Sequence, residues 1–362
     1  MTLRLQGVSK SVDGEAHIHA LDLELQKGTM NVLLGPTLAG KTTLMRIMAG
    51  LDVPDTGKIF WNGDDVTGRR VQKRDVAMVY QQFVNYPSMT VKDNIASPLK
   101  LRGASAQEID RKVREMAELL QLTPLLDRKP SEISGGQQQR CAIARALVKD
   151  VGLVLMDEPL ANLDYKLREE LRIEIPRLFA RSGSIFVYAT TEPEEALLLG
   201  GNTATLWQGR VTQFGPSTQV YRRPVDETTA RVYSDPPMNF VRAEKRGSAI
   251  HFPAGQSVML DETPAEFPDG VYRAGFRAHN LNVGECGHGM IAFDAKVIVT
   301  ELTGSETYLH INAVAERWVG LLSGPRNYQP GDGIKVWLDP ADLLYFDEDG
   351  ALAHPVRVLA EA

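Results

Sequence analysis

The segment GPTLAGKT (residues 35–42) constrains the fold of this chain more than any other feature of its sequence. It follows an apolar run, residues 30–34, and precedes a segment whose Leu44, Ile47 and Met48 recur at helical spacing. An apolar strand, a glycine-bearing turn and a helix in this order form half of a βα unit. The pattern with this context is typical of a phosphate-binding loop, here called the phosphate loop.

The phosphate loop has a defined chemistry. Backbone N–H groups of such a loop, with the positive end of the helix that follows, surround phosphate groups. We expect Lys41 to reach the β- and γ-phosphates and the Thr42 hydroxyl to bind Mg²⁺, so the predicted ligands are ATP and Mg²⁺. The predicted phosphate-binding residues are Gly35, Pro36, Thr37, Leu38, Ala39, Gly40, Lys41, Thr42 and Thr43.

An acidic pair ends a second apolar run. Residues 151–157 read as a buried strand, and Asp157 and Glu158 stand at its tip. Acidic residues end many strands, so this pair alone is a weak signal. After a phosphate loop, it indicates Mg²⁺ binding through Asp157 and orientation of an attacking water by Glu158.

The segment ISGGQQQR (residues 133–140) decides between families. Locally, Ser134 is explained as the N-cap of an amphipathic helix. Such a helix start would also favour an anion, although nothing else in the chain requires a second phosphate site. SGGQ between a phosphate loop and a DEP strand resembles the signature of ATP-binding-cassette (ABC) proteins. The signature segment comprises Ser134, Gly135, Gly136 and Gln137.

The resemblance implies further roles. In that family two cassettes pack head to tail, and each ATP lies between the phosphate loop of one and the signature of the other. Gln81 would contact Mg²⁺ and sense a transmembrane partner, and Asp164 would join the two ATP sites. A helical subdomain at about 88–145 would hold the docking groove for that partner.

Three departures from the family pattern, one of which covers two loop residues, all belong to one nucleotide site. Val12 stands where the family has an aromatic residue that stacks on adenine. Thr37 and Leu38 replace the usual Ser and Gly of the loop, and leucine does not favour the positive φ that glycine permits. Thr191 replaces the switch histidine that touches the γ-phosphate. We therefore expect ATP and Mg²⁺ binding to persist and hydrolysis at this site to be slow, with Glu158, Gln81 and Thr191 as its catalytic group.

His17 and His19 lie near Val12 in the sequence. Either could substitute for the missing aromatic ring, but loop histidines are more often solvated surface residues. We expect the second of these two interpretations.

The sequence predicts two domains. Residues 1–235 read as an α/β cassette, and 236–362 as an all-β regulatory domain resembling an OB-like barrel, because short strands separated by turns replace the α/β pattern. The phrases MNFVRAEK, FRAHNL and TELTGSETYLHI resemble the regulatory domain of ATPases from carbohydrate importers such as the maltose importer. GPTLAGKT and VQKRDVAMVYQQFVNYPSMTV resemble the ATPases of proteobacterial glycerol importers.

Composition limits where in the cell the chain is expected to act and which ligands it is expected to bind. A formal net charge of −6 argues against general nucleic-acid binding. No run approaches the length of about 18 apolar residues that would cross a bilayer. Cys141 and Cys286 lack metal-ligand spacing and read as buried residues in a reducing compartment. We expect a peripheral protein at the cytoplasmic face of the inner membrane.

The predicted function is the energy-coupling ATPase of an importer for a carbohydrate or polyol such as glycerol. Its partners would be a second ATPase subunit, two transmembrane permeases and, indirectly, a periplasmic solute-binding protein. A different second subunit is favoured, and a homodimer stays open. The alternatives are a mainly structural cassette and a soluble ATPase of DNA repair or translation. The chain has neither the long coiled-coil insertion nor the second cassette of that soluble class.

Overall fold

The computed structural model describes residues 1–82, 84–149, 151–161, 163–253, 255–259, 267–284 and 289–354. Two units divide the chain, Met1–Ser217 and Thr218–Ala362. The strands of the first unit are β1 (Thr2–Val12), β2 (Glu15–Gln26), β3 (Met30–Leu34), β4 (Thr56–Trp61), β5 (Asp64–Asp65), β6 (Val76–Val79), β7 (Leu153–Asp157), β8 (Ile185–Thr190), β9 (Asn202–Trp207) and β10 (Arg210–Pro216). Its helices are α1 (Lys41–Ala49), α2 (Val91–Leu101), α3 (Ala106–Leu119), α4 (Gly135–Leu147), α5 (Tyr165–Ser182) and α6 (Pro193–Leu199).

A six-stranded sheet forms the centre of the first unit, in the order β10-β9-β3-β8-β7-β6. The strands from β9 to β6 are parallel, and β10 pairs antiparallel with β9. Every residue of β7 and β8 is buried, as expected for parallel strands covered on both faces. The carboxyl ends of the parallel strands therefore meet at one edge, where ligands of such sheets bind.

A second, antiparallel sheet covers α1 in the order β2-β1-β4-β5. Leu3 and Leu5 of β1 alternate with exposed residues and enter one core with Leu33 of β3 and with Leu44 and Ile47 of α1. This core fixes α1, and with it the end of the phosphate loop, between the two sheets.

The helices α2, α3 and α4 lie within the predicted helical subdomain. The side chain of Ser105 caps α3 by accepting a hydrogen bond from the backbone N–H of Glu108 at 3.2 Å. The buried face of α3 carries Val113, Met116 and Ala117, at the spacing of an amphipathic helix.

The second unit is rich in β-structure. Its helices are α7 (Ser217–Arg222), which begins at the last residue of the first unit, and α8 (Glu227–Val232). Its strands are β11 (Asn239–Arg246), β12 (Ala249–His251), β13 (Ser257–Met259), β14 (Gly270–Phe276), β15 (Asn282–Val283), β16 (Ile291–Leu302), β17 (Glu306–Ala313), β18 (Glu316–Ser323), β19 (Gly333–Leu338), β20 (Leu344–Phe346) and β21 (Leu352–His354). They form two sheets, β13-β12-β11-β14-β20-β21 and β15-β19-β16-β17-β18, which share one core.

The division between the units falls earlier than the boundary at 235–236 expected from sequence. The reason is that α8 packs on the β-rich unit. The backbone N–H of Glu227 donates to the carbonyl of Gly350 at 2.8 Å, and Ala230 joins a small apolar cluster with Phe240 and Phe346. The sequence pattern changes from α/β to short strands only after α8, whereas the division between the two packed units falls before α8, at residues 217–218.

The two cysteines were expected to be buried residues. Cys141 is buried in α4, and burial raises the pKa of its thiol to about 12, so it is an unreactive core residue. Cys286 lies outside the described residues.

Within the described part of the chain, no helix combines the length and apolar character needed to cross a membrane.

The core of the β-rich unit supplies a first testable prediction. Trp318 is buried, meets Phe276 and Phe293 edge to face at 5.0 and 5.2 Å, and donates its indole N–H to the carbonyl of Phe240 at 2.9 Å. Trp318→Ala should destabilise this unit by about 3–5 kcal/mol, because it leaves a cavity and removes these contacts. Scanning calorimetry should show one lowered transition.

Trp337, half-buried on β19 of the same unit, is the matched control. Trp337→Ala should destabilise this unit by clearly less than Trp318→Ala does. Equal losses from the two substitutions would contradict this assignment of the core.

Candidate nucleotide-binding site

The predicted site residues converge on the carboxyl edge of the parallel sheet. The phosphate loop follows β3, Asp157 ends β7, and Glu158 comes directly after it. Gln81 follows β6, and Thr191 follows β8. Four neighbouring parallel strands thus deliver side chains to one edge, although their positions in the sequence are far apart.

A cleft of about 520 Å³ opens at this edge, and we call it the nucleotide cleft. It is lined by Glu15, Ala16, His17, His19, Thr37, Leu38, Ala39, Gly40, Lys41, Thr42, Thr43, Gln81, Glu158, Gln208 and Gly209. The phosphate loop forms one wall, and the start of β2 with the turn between β9 and β10 forms another.

Two glycines of the phosphate loop are required by close backbone contacts. Gly40 has φ 101°, and a Cβ there would lie 2.8 Å from the carbonyl oxygen of His17. A Cβ at Gly35 would lie 2.5 Å from the carbonyl oxygen of Leu206. The loop is therefore packed tightly against β2 and β9, and larger side chains would displace it.

Lys41 is a buried cation, with 5% of the residue exposed. Its Nζ donates to the carbonyl oxygens of Gly35 and Pro36 at 2.7 and 3.0 Å, and it lies 3.5 Å from the Glu158 carboxylate. Burial lowers the pKa of the Lys41 ammonium, and the negative charge of Glu158 opposes that shift. A phosphate group that reached this ammonium would supply negative charge in the same place.

Thr42 and Asp157 form a second polar contact. The Thr42 hydroxyl donates to Asp157 Oδ2 at 2.7 Å. Burial raises the pKa of the Asp157 carboxyl, whereas the Thr42 hydroxyl opposes the shift and the neighbouring charge of Glu158 adds to it. A divalent cation at this pair would favour the ionised form, because it adds positive charge beside the carboxylate.

Glu158 is oriented from two sides. Gln81 Nε2 donates to Glu158 Oε2 at 3.0 Å, while the other carboxylate oxygen faces Lys41. The backbone of Glu158 has φ 46°, a left-handed conformation that is strained for a residue with a side chain, and its N–H donates to the carbonyl of Ala189 at 3.0 Å. Strain of this kind is often found at functional sites.

The side chains at this edge suit Mg²⁺. Thr42, Asp157 and Gln81 offer a hydroxyl, a carboxylate and an amide oxygen, which are the hard donors that Mg²⁺ prefers. In the described ranges no group of three or more His, Cys, Asp and Glu side chains could hold a metal alone. Mg²⁺ sites built from one or two carboxylates together with phosphates need no such group.

Comparisons with known proteins agree with this geometry. Residues 18–161 match the model of the family described as ABC transporter. The chain is 36% identical to the alpha-glucoside transport ATP-binding protein AglK of Rhizobium meliloti, an alignment covering 96% of this chain and 98% of that protein. It is also 36% identical to the sn-glycerol-3-phosphate import ATP-binding protein UgpC of Chromohalobacter salexigens, over 97% and 95% of the two chains.

The chain belongs to the ABC transporter family. Among solved structures, the dimeric post-hydrolysis state of the ATP-binding cassette MJ0796 bound to ADP and Pi aligns with a TM-score of 0.54 at 27% identity. That alignment covers 59% of this chain and 98% of the cassette. The family resemblance and the cassette fold expected from sequence are thereby confirmed.

The other predicted residues of this ABC chain lie away from the nucleotide cleft. The Ser134 side chain accepts from the Gln137 N–H at 3.4 Å, and the Gln137 side chain accepts from the Ser134 N–H at 2.9 Å, so the signature segment forms a capping box at the start of α4. Asp164 is exposed and caps α5 by accepting from the Leu167 N–H at 3.0 Å. None of these residues lines the nucleotide cleft.

The three departures from the family pattern have different surroundings. Leu38 has φ 68° and is 96% exposed, so a large apolar side chain stands in solvent on a strained backbone. Thr191 is exposed and does not line the cleft. Val12 ends β1, is 37% exposed and lies outside the cleft lining.

A network of ion pairs that sequence reasoning missed lies beside Thr191. The hydroxyl of Thr190 and the Tyr188 O–H donate to Glu195 at 2.6 and 3.2 Å. Arg172 of α5 binds Glu195 at 3.2 Å and Glu192 at 2.8 Å. The network ties α5 and α6 to the end of β8 and so fixes the segment that carries Thr191.

The structure corrects the expected position of two histidines near the nucleotide cleft. His17 and His19 were expected in a loop, but they lie within β2 and face the nucleotide cleft, together with Glu15. Within β2, apolar residues alternate clearly with polar ones only at Leu21, Leu23 and Leu25, so the start of the strand at Glu15 could not be predicted from this pattern.

The raised pKa of Asp157 predicts a pH-dependent stability. Because the folded pKa exceeds the unfolded one, the ionised carboxylate destabilises the ligand-free fold at neutral pH, and this cost disappears as pH falls below the ordinary value of about 4. Asp157→Asn should therefore raise the thermal midpoint at pH 7 without nucleotide or Mg²⁺, and the gain should shrink toward pH 4.

Asp164→Asn is the matched control, since Asp164 is exposed and Asn is an equally good N-cap. It should leave the midpoint within about 0.5 kcal/mol of the parent at both pH values. A loss of stability in Asp157→Asn at pH 7 would contradict the assigned pKa direction.

Proposed function

We propose that this chain is the ATP-hydrolysing, energy-coupling subunit of an importer. The observation that carries the proposal is the Glu158 carboxylate, held jointly by Gln81 and Lys41 at the end of the phosphate loop. Relatives that align along nearly the whole chain include ATP-binding proteins of α-glucoside and sn-glycerol-3-phosphate transport, which supports the same function.

Each residue has a role in hydrolysis. Lys41 would neutralise the β- and γ-phosphates, and Thr42, Asp157 and Gln81 would hold Mg²⁺. When bound there, the cation would supply positive charge against the negative charge that develops on the transferred phosphoryl group. Glu158, oriented by Gln81, accepts a hydrogen bond from the attacking water. The water oxygen forms a bond to the γ-phosphorus as the bond to ADP breaks, and the water's proton passes to Glu158 or the released phosphate.

Nucleotide binding by Lys41 is directly testable. Lys41→Ala removes a charge-assisted contact to the phosphates and should weaken ATP affinity by about tenfold to a hundredfold in a binding titration with Mg²⁺. Lys58→Ala is the control, because Lys58 is exposed on β4 and pairs only loosely with Asp65 at 3.4 Å. Unchanged affinity in Lys41→Ala would refute the site.

A second cleft supports docking to a transmembrane permease. This basic groove, of about 620 Å³, lies between residues 72–78 and the helices α2 and α4. Lys73, Arg74, Arg102, Arg145 and Lys149 line it, and among the described residues of its lining Asp75 is the one that is acidic. A cytoplasmic helix of a permease that carries acidic side chains would complement it. We place the chain peripherally at the cytoplasmic face of the inner membrane, held there by two permeases.

The transported solute is proposed from the relatives alone. The names of relatives in two transport groups point to a carbohydrate or a polyol, including glycerol or its phosphate. A periplasmic solute-binding protein would deliver the solute to the permeases. The β-rich unit would act as a regulatory domain of OB-like barrel type, and its two antiparallel sheets around one core agree with that proposal.

The cassette is proposed to work with a different partner cassette. Leu38 lines the cleft that contains Lys41, and Val12 and Thr191, although outside that lining, stand where the family has its adenine-stacking residue and its switch histidine; the signature segment is unaltered and begins α4 with a capping box. A partner's phosphate loop with this chain's signature segment would form the more active site. The Leu38 and Thr191 substitutions also favour a second candidate function, a mainly structural cassette.

Unequal hydrolysis at the two ATP sites predicts that the same substitution has unequal effects on the ATPase rate in the two cassettes. In the assembled transporter, Glu158→Gln should reduce the ATPase rate by less than about twofold, because the partner's site carries most hydrolysis. The equivalent substitution in the partner should remove nearly all of it. A purified complex that contains two copies of this chain and hydrolyses ATP rapidly would overturn the asymmetric model.

A further inference from the structure

A cavity of about 170 Å³ lies at the amino edge of the parallel sheet, and we call it the amino-edge pocket. Val76 and Leu153, the first residues of β6 and β7, line it. The nucleotide cleft lies at the other edge, beyond the carboxyl ends of the same strands. Met48 in the last turn of α1 also lines the pocket, so α1 extends from Lys41 in the nucleotide cleft to this second cavity.

The apolar part of the amino-edge pocket is built around Trp61 of β4. A Cβ at Gly152 would lie 2.6 Å from Cζ2 of Trp61, so the indole packs directly on the backbone that precedes β7. Leu3, Met48 and Leu153 are buried and belong to the same apolar lining. Protein interiors leave few voids larger than a water molecule, and an apolar cavity of about 150 Å³ can hold benzene. The pocket therefore has room for one six-membered ring.

Arg74 brings a positive charge to this apolar surface without a matching carboxylate. Its guanidinium donates to the backbone carbonyls of Arg69, Met48 and Val66 at 2.9, 2.9 and 2.7 Å. These bonds hold the guanidinium in place, but carbonyl groups carry no net charge. Burial lowers the pKa of Arg74, and the positive charge of Arg69 adds to that shift. An anion in the pocket would oppose both effects.

Two exposed cations, Arg69 and Lys73, add to the charge at the mouth of the pocket. Neither forms an ion pair with a carboxylate in the described part of the chain. Asp75 also lines the pocket, but its carboxylate accepts from the Gly152 N–H at 2.7 Å and lies 3.8 Å from Arg102. The described lining therefore has an excess of positive charge.

The amino-edge pocket differs from the basic groove that we assign to permease docking. Lys73 and Arg74 line both cavities. Trp61, Arg69 and Met48 line the pocket and do not line the groove, so the ring-sized apolar space belongs to the pocket.

We propose that the amino-edge pocket binds a small organic anion with a single ring, which lies against Trp61 while its carboxylate or phosphate group meets Arg69, Lys73 and Arg74. Ligand pockets commonly combine an apolar lining with a few charged groups that fix the orientation of the ligand. Guanidinium groups suit carboxylates and phosphates in particular. The inference does not depend on the proposed function, because the residues assigned to ATP hydrolysis do not line this pocket.

The test is an NMR titration of the full chain at pH 7 with isotope-labelled tryptophan, which gives four indole N–H signals. The Trp61 signal is assigned by its loss in Trp61→Phe. Benzoate or phenyl phosphate should shift this signal and saturate with a dissociation constant of about 1 mM or below. The anion that binds more tightly identifies the preferred charged group. Benzyl alcohol, a ring without charge, and acetate, a charge without a ring, should each bind at least about tenfold more weakly.

A pair of neighbouring arginines provides matched variants. Arg69→Gln should weaken the binding of the preferred anion about threefold to tenfold, because it removes one charge from the lining. Arg70→Gln removes the same charge from the next residue, which is exposed and lines neither the pocket nor the basic groove. It should change the affinity by less than about twofold.

Three results would overturn the inference. One is the absence of a saturable shift of the Trp61 signal with both benzoate and phenyl phosphate. Another is binding of benzyl alcohol or acetate as tight as that of the preferred anion. The third is an equal loss in Arg69→Gln and Arg70→Gln, which would indicate attraction by general surface charge. Each result leaves the proposed function standing, since that function is tested separately by ATP binding to Lys41→Ala.

Discussion

The buried ammonium of Lys41 is the interaction on which the site depends. A cation removed from water is costly unless it is compensated, and here two loop carbonyls and the Glu158 carboxylate supply that compensation. The carbonyls require the loop to curl around Lys41, and the close packing at Gly35 and Gly40 permits that curl. Glu158 in turn lies between Lys41 and Gln81, so the phosphate loop, β7 and the segment after β6 are linked through one charge. Lys41, Glu158 and Gln81 are therefore grouped around the place where phosphate charge would enter.

Much of this site could be predicted from sequence, because its motifs are local and the sheet is parallel. A glycine-bearing turn between an apolar strand and a helix specifies the position of Lys41 and Thr42, and an acidic pair after an apolar strand specifies Asp157 and Glu158. Parallel strands bring their carboxyl ends to one edge, so separate motifs meet without any contact having to be inferred. The family resemblance singled out Gln81, which no local pattern indicated, and the structure shows its side-chain amide donating to Glu158.

The features that could not be predicted from sequence depend on pairing and packing between segments that are distant in the chain. A β-bulge at His17 arises from the register of β1 and β2, which the alternation of apolar residues does not specify. The unit boundary follows contacts of α8 with Gly350 and Phe346, more than a hundred residues away. Counting back along the sequence placed Val12 at the nucleotide site, but the structure lines the cleft with β2. The signature segment was recognised by resemblance, and its proposed role requires a second cassette.

We propose that the phosphate loop, α1 and the Asp157–Glu158 pair form one site for Mg-ATP. Amide hydrogen exchange of the full chain, with Mg²⁺ alone and with Mg-ATP, tests it most directly. Mg-ATP should slow exchange at residues 37–44 and at Asp157 and Glu158, and Mg²⁺ alone should leave residues 37–44 unchanged. Unaltered exchange across residues 37–44 at saturating Mg-ATP would contradict it.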